Sequence, residues 1–200
     1  MNWKKTSLWT LGIALVIVLF FSDNIWGYYR FKSMCEREGG LRINQPLERD
    51  VGWTVNTGHI AYVRFPLSIQ GVAFVRYRNK RDGLLYDVYR VHEKNMNDDG
   101  YVQQPADSSK PVIYEYRLTQ EKLRDEIRMT TVTQDVIDLR TGSISASYKT
   151  FGYSEFEPSR TPLAAPSGIS CPRDVPEIDE KTGETLPSLV YLAFSRMFKN

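Results

Sequence analysis

Two cysteines and two histidines are the residues of this 200-residue chain best equipped for chemistry, and their spacing narrows what they can do. Cys35 lies in "FKSMCEREGG", just after a long apolar run, and Cys171 lies in "SGISCP" near the other end. A lipid-modification site would need small and aliphatic residues where Lys32 and Met34 stand, and it would sit closer to the apolar run. A zinc site fails on arithmetic, because there is no CxxC pair and only His59 and His92 could complete a ligand set. A nucleophilic thiol needs a base beside it in space; either histidine would serve, and spacing does not place one there. Two readings remain open. One is a Cys35–Cys171 disulfide closing nearly the whole soluble part, worth about 4 to 5 kcal/mol in the chain-entropy picture and stable only in an oxidising compartment. The other is a pair of buried free thiols in a cytosolic domain.

The nearest approach to an acid–base group is His92 beside Glu93, with Asp87 and Arg90 just before them. Strand alternation puts Asp87 and His92 on opposite faces, so a solvated strand-end histidine is the simpler account. No nucleophile elbow, phosphate-binding glycine loop or HExxH pattern is present. No catalytic, cofactor-binding or metal-binding residue is assigned. Arginine and tyrosine interleave: Arg64, Arg76, Arg78 and Arg90 alternate with Tyr62, Tyr77, Tyr86 and Tyr89. Arg76, Arg78, Arg90, Tyr77 and Tyr89 are the candidate partner-binding residues, suited to an acidic partner, a glycan or lipid headgroups because Arg and Tyr are favoured at binding surfaces. The plainer alternative is a solvated face with ion pairs to Asp87, Glu115 and Asp135.

Composition bounds the rest. With 42% hydrophobic and 25% charged residues the chain reads as globular, not disordered or fibrous. A net charge of +2, from 26 basic and 24 acidic residues, gives no field suited to nucleic acid. One domain follows from length.

Residues 8–21, "LWTLGIALVIVLFF", carry no charge and are preceded by Lys4 and Lys5 and followed by Asp23. As a helix this run covers about 21 Å, short of a roughly 30 Å hydrocarbon core, and alone it also fits a signal-peptide h-region. Trp3 and Trp9 on one side, with Trp26, Tyr28 and Tyr29 on the other, mark two interfacial belts around a longer helix. "FFSDNIWGYY" lacks the small residues of a cleavage site. The reading is therefore an uncleaved anchor over residues 1–29, touching a lipid bilayer through residues 5–29. Lys4 and Lys5 oppose Arg30, Lys32, Arg37 and Arg42 in setting orientation, so charge alone leaves the topology undecided.

"CEREGGLRI" just outside this anchor, with "SGISCP" before a short aromatic terminal segment, resembles a group of uncharacterised, membrane-anchored envelope proteins of Gram-negative bacteria. The two signatures lie near the ends of the soluble region, and "NQPLERD" departs from the extended polar segment expected after the first. The resemblance implies a single-pass inner-membrane protein with its C-terminal domain in the periplasm. It also supports pairing of Cys35 with Cys171, and it implies no chemistry.

The elements that must position these residues occupy residues 30–200, read as a single periplasmic β-rich domain. "YYRFKSMCERE" continues the helix as a stalk, and Gly39–Gly40 stop it. From residue 59 the pattern turns to strands: "HIAYVRF", "GVAFVRYR", "LLYDVYRVH", "PVIYEYRL", "MTTVTQDVID" and "SISASYKTF". "NKRDG" and "LRTGS" read as tight turns. In "SISASYK", Ile144, Ala146 and Tyr148 alternate with Ser143, Ser145, Ser147 and Lys149, the pattern of a sheet with one wet side. "LTQEKLRDEIR" fits either a short helix or a strand continuing from Leu118. "PSLVYLAFSRMFKN", capped by Ser188, supplies a helix to cover the apolar face. "NMNDDGYVQQPADSSKP" and the proline-rich stretch from Glu155 to Pro187 read as loops. The fold class expected is α+β: a transmembrane helix continuing into a stalk, an antiparallel meander of five to seven strands, and a short docked C-terminal helix. The expected function is a non-enzymatic binding module of the cell envelope, with an envelope protein or glycan as partner. Its alternatives are a periplasmic hydrolase built on His92 or His59 with a carboxylate, and a cytosol-facing immunity or regulatory factor.

Overall fold

The computed structural model describes residues 3–57, 60–91, 100–124, 128–155, 167–172, 193–194 and 196–198. Helix α1 runs Trp3–Glu38, so the apolar run and the stalk form one continuous helix. It ends where expected: Gly39 N–H bonds Cys35 O at 2.8 Å, and Gly40 takes φ 93°, a left-handed value that glycine adopts without strain. Counted over the described residues alone, no helix is long and apolar enough to cross a membrane.

Among the described residues nine strands form one mixed sheet: β1 (Gly40–Ile43), β2 (Val51–Val55), β3 (Val72–Arg78), β4 (Leu85–Arg90), β5 (Tyr101–Pro105), β6 (Val112–Lys122), β7 (Met129–Asp138), β8 (Ser143–Glu155) and β9 (Ser167–Cys171). The order is β1-β8-β7-β6-β2-β3-β4-β5, with β9 also on β8. The expected meander is correct for β3–β4 and β6–β7–β8, whose pairs are antiparallel, and β5 adds an antiparallel strand that was not expected. It fails at the centre, where β2 lies between β3 and β6 and is parallel to both. The reason is helix α2 (Ala61–Ser68), which carries the chain back from β2 so that β3 starts at the same end, as a parallel pair requires.

Helix α2 also corrects the reading of "HIAYVRF" as a strand. β-Branched and aromatic composition suggested extension, but Val63 and Leu67, four apart, are both buried on one helical face. Pro66 inside this two-turn helix forgoes one backbone bond and is itself buried. "LTQEKLRDEIR", left open between helix and strand, begins as the second half of β6. β5 lies within a stretch read as loop, its Pro105 at the end of an edge strand, where a missing N–H is tolerated.

The sheet is packed on both faces, unequally. On one, Trp53, Val75, Tyr77, Val88, Tyr114 and Tyr148 are covered by α2 and by Phe194, Met197 and Phe198 from the C-terminal segment. Much of the predicted C-terminal helix falls outside the described residues, yet Phe194 is fully buried and Leu47 N–H bonds Met197 O at 2.7 Å. On the other face, toward the β8 edge, Phe31 of α1 packs with Met129, Phe151 and Tyr153, flanked by Met34, Ile169 and Cys171. The alternation read in "SISASYK" holds for Ala146 and Tyr148. A bulge between Val136 and Ile137 shifts the register, leaving Ile144 exposed and Ser145 buried.

Candidate functional site

Of the interleaved arginines and tyrosines, Tyr62 and Arg64 lie on α2; the others fall on β3 and β4, where Arg76 faces Asp87, Tyr77 faces Tyr86 and Arg78 faces Leu85. Alternation divides the five candidates. Arg76, Arg78 and Tyr89 share the outer face with Phe74 and Asp87; Tyr77 points into the main core with Val88, and Arg90 follows Tyr86 and Val88 on that same side. The five therefore do not converge on one surface.

Nor is Arg76 a free hand. Its Nε donates to Asp87 Oδ1 at 2.7 Å and its Nη2 to Asp87 Oδ2 at 2.8 Å, a fork-on-fork pair whose carboxylate is only 1% exposed. Nη2 also donates to Asp107 O at 2.6 Å, and Asp107 N–H returns a bond to Asp87 Oδ2 at 3.0 Å. The Asp87 hydrogen bond holds the Arg76 guanidinium above its already high range. This knot ties the loop after β5 to the sheet, and a buried carboxylate without Arg76 would be costly. Arg78 Nη1 donates to Gly83 O at 2.8 Å, bracing the β3–β4 turn. Tyr89 stacks on Phe74 with centroids 5.6 Å apart and accepts a bond from Lys110 Nζ at 3.0 Å. Tyr77, buried, donates to Gln103 Oε1 at 2.9 Å, and burial pushes its hydroxyl up. Beside Arg76 a shallow cleft of about 280 Å³ opens against Leu84, Leu85, Pro105 and Ala106.

A second constellation lies where α1 meets the sheet. Cys35 and Cys171 are disulfide-bonded with Cα atoms 6.0 Å apart. The bond sits at the junction of two short edge strands: β1 starts opposite Lys149 and β9 ends opposite Phe151. Around it the ring of Phe31 lies 5.5 Å from that of Tyr153, Tyr28 lies 6.2 Å from Tyr153, and Gly27 sits against the Tyr153 hydroxyl, where a Cβ would come within 3.0 Å. Lys149 Nζ bonds Glu38 Oε2 at 2.6 Å, and the hydrogen bond and charge of Lys149 hold the Glu38 carboxyl below its ordinary range. Nothing in the spacing of Glu38 and Lys149, on distant elements, announces that contact. Outward along α1 the chemistry changes: Trp9, Leu11 and Val16 are 75%, 73% and 66% exposed.

Several other described charged groups brace turns and strand faces. Arg140 forks onto Asp138 at 3.0 and 2.7 Å and reaches Glu48 at 2.7 Å, which lowers the Asp138 carboxyl and fixes the β7–β8 turn. Arg117 pairs with Glu115 on β6. Asp82 and Asp107 are held low by bonds from Leu84 N–H and from Ser109 respectively. Hydrogen bonds and, at Asp138, the Arg140 fork hold these carboxylates in their charged form. His59 and His92 lie outside the described residues. Among the described residues no three His, Cys, Asp or Glu side chains gather as a metal site would require.

Comparison with known proteins brings no match: no family model, no curated protein and no solved structure aligns with the chain.

Proposed function

We propose that this chain is a membrane-anchored envelope protein that holds a β-rich binding module close to a bilayer in an oxidising compartment, the periplasm of a Gram-negative cell. The carrying observation is the contrast within α1. Trp9, Leu11, Ile13, Leu15, Val16 and Leu19 are all exposed, and at about 100° per residue they spread over more than half the helix circumference. A surface helix buries one stripe, whereas a helix apolar around most of its girth needs an apolar solvent. The sequence of residues 17–21, "IVLFF", extends the same character. Lys4 and Lys5 before the run and Trp26 after it suit the two interfaces. The last three turns of α1 are instead fastened to the sheet by Cys35–Cys171, Phe31 and Glu38. A disulfide of this kind supports an oxidising location.

Recognition in this reading uses the sheet face that α1 leaves open, which presents Arg78, Tyr89, Lys110 and Arg117. The anchor confines the module to a surface and so raises its effective concentration for a partner on the same membrane. The test is made in intact cells. Mobility on a gel with and without reductant, combined with protease accessibility after permeabilising the outer membrane, should find the bond closed and the domain cleavable. Free thiols in a protease-protected domain would sink the assignment and favour the cytosol-facing alternative.

A further inference from the structure

We propose that the end of the sheet formed by the end of β6, the start of β7 and the start of β9 rests on the phospholipid headgroup layer, with Lys122 and Arg124 meeting headgroup phosphates. The proposal deepens the membrane-anchor reading and rests on it.

The argument is one of register. Successive contacts between α1 and β8 run in opposite senses: Glu38 with Lys149, Cys35 with Cys171 opposite Phe151, Phe31 with Tyr153, then Gly27 with the Tyr153 hydroxyl. β8 is thus antiparallel to α1, and its C-terminal end points toward the apolar half of the helix. After Tyr153 the strand continues through Ser154 and Glu155, paired with Gly168 and Ser167. Two residues of strand advance about 7 Å, equal to roughly four or five residues of helix. Tyr153 spans the level of Gly27 to Phe31, so the strand end reaches the level of Ile25 and Trp26 or just beyond. Trp26, 66% exposed, is the residue expected at headgroup depth.

The end of β6 and the start of β7 arrive at the same level. Lys122 pairs with Thr130, which pairs with Gly152; Leu123 N–H bonds Met129 O at 3.3 Å, and Ser154 N–H bonds Arg128 O at 2.9 Å. Leu123 is half-buried against the Phe31 cluster, while Lys122 and Arg124 are exposed beside it. An apolar residue flanked by exposed cations at the depth of an interfacial tryptophan is the arrangement that headgroup phosphates favour. By sequence this end carries Glu121, Asp125, Glu126 and Glu155 against Lys122, Arg124 and Arg128, and Arg30 and Lys32, exposed on α1 just above, tip the border to net positive. The disulfide and the Phe31–Tyr153 packing fix the height, so the contact is built into the fold and does not depend on a loop folding down.

The full-length chain, with its disulfide closed, is reconstituted in phosphatidylcholine–phosphatidylglycerol vesicles. A fluorophore is placed at Ser154→Cys, or for reference at Thr141→Cys in the β7–β8 turn at the opposite end of the sheet. Quenching by lipid spin-labelled at the headgroup is expected to be several-fold stronger at position 154 than at position 141. K122E combined with R124E should weaken that quenching while the fold, read by the denaturation midpoint, is unchanged. Resistance of the same vesicles to alkaline extraction reads the anchor separately. Co-flotation with equal quenching at the two positions overturns the headgroup contact and leaves the anchor standing; failure to co-float overturns both. Quenching at position 154 that ignores the charge reversals overturns the role given to Lys122 and Arg124.

Discussion

The two packed faces of the sheet solve the same problem by different means. The core under α2 and the C-terminal segment gathers seventeen buried apolar residues among those described, the cluster under α1 only four, and the disulfide is found beside the smaller. Burial contributes roughly in proportion to apolar area, so the larger core can hold itself together, while four residues cannot by themselves hold a 36-residue helix to a sheet. Covalent closure stands in for area. The sharpest way to break this contrast is at Trp53, fully buried between Tyr114 and Phe198, with ring centroids 5.7 and 6.4 Å away. Its indole N–H has no hydrogen-bond partner among the described residues, so its contribution is packing. Trp53→Ala is expected to lower the stability of the whole sheet by about 3 to 5 kcal/mol, read by chemical denaturation with the disulfide intact. A loss no larger than that of Phe31→Ala would show the two cores to be equivalent.

Opening the disulfide tests the other side. Cys35→Ser with Cys171→Ser should cost about 2 to 4 kcal/mol, with the loss distributed unevenly. Hydrogen exchange is expected to rise at residues 28–38 and in β9 while β2, β3 and β6 stay protected, because the larger core does not pass through the bond. Uniform loss of protection would mean that α1 and the sheet unfold as one unit.

The same contrast explains what could be read in advance. The helix from the apolar run to Glu38, its glycine stop, the antiparallel pairs β3–β4 and β6–β7–β8 and the Cys35–Cys171 bond were legible, since each rests on local periodicity or on a residue type with few partners. The central strand β2 was not: "VGWTV" is short, carries a glycine, and takes partners from both sides far along the chain. Helix α2 was hidden because its composition speaks for a strand and only tertiary burial of Val63 and Leu67 decides otherwise. Arg76, Arg78 and Arg90 were legible as to strand but not as to partner, for Asp87 engages Arg76 in a closed pair on the outer face.

A position on the face that α1 leaves bare refines the comparison. Gly52 lies under the Phe74 ring, and a Cβ there would also come within 2.8 Å of Pro111 O. Among the described residues the nearest atoms at this spot belong to Phe74 and Pro111, so Gly52→Ala should displace Phe74 and cost about 1 to 3 kcal/mol. The change would also loosen Tyr89, which stacks on Phe74, and near-ultraviolet circular dichroism would register it.

The smallest effect belongs to the ion pair beside the disulfide. Glu38 and Lys149 side chains are 40% and 31% exposed, so solvent screens the pair and Glu38→Gln should cost under about 1 kcal/mol. Its pH dependence is more telling than its size. The Glu38 carboxyl is lowered in the folded protein from an ordinary 4.5, chiefly by the Lys149 hydrogen bond, so its contribution is present above that value and is lost as pH falls through the lower folded value. Wild type and Glu38→Gln should therefore differ at pH 7 and converge in acid. With the disulfide removed from both, a difference at pH 7 confined to exchange in the last turns of α1 would show the ion pair supporting the junction alone; a difference spread into β2 and β6 would show the two faces to be energetically joined.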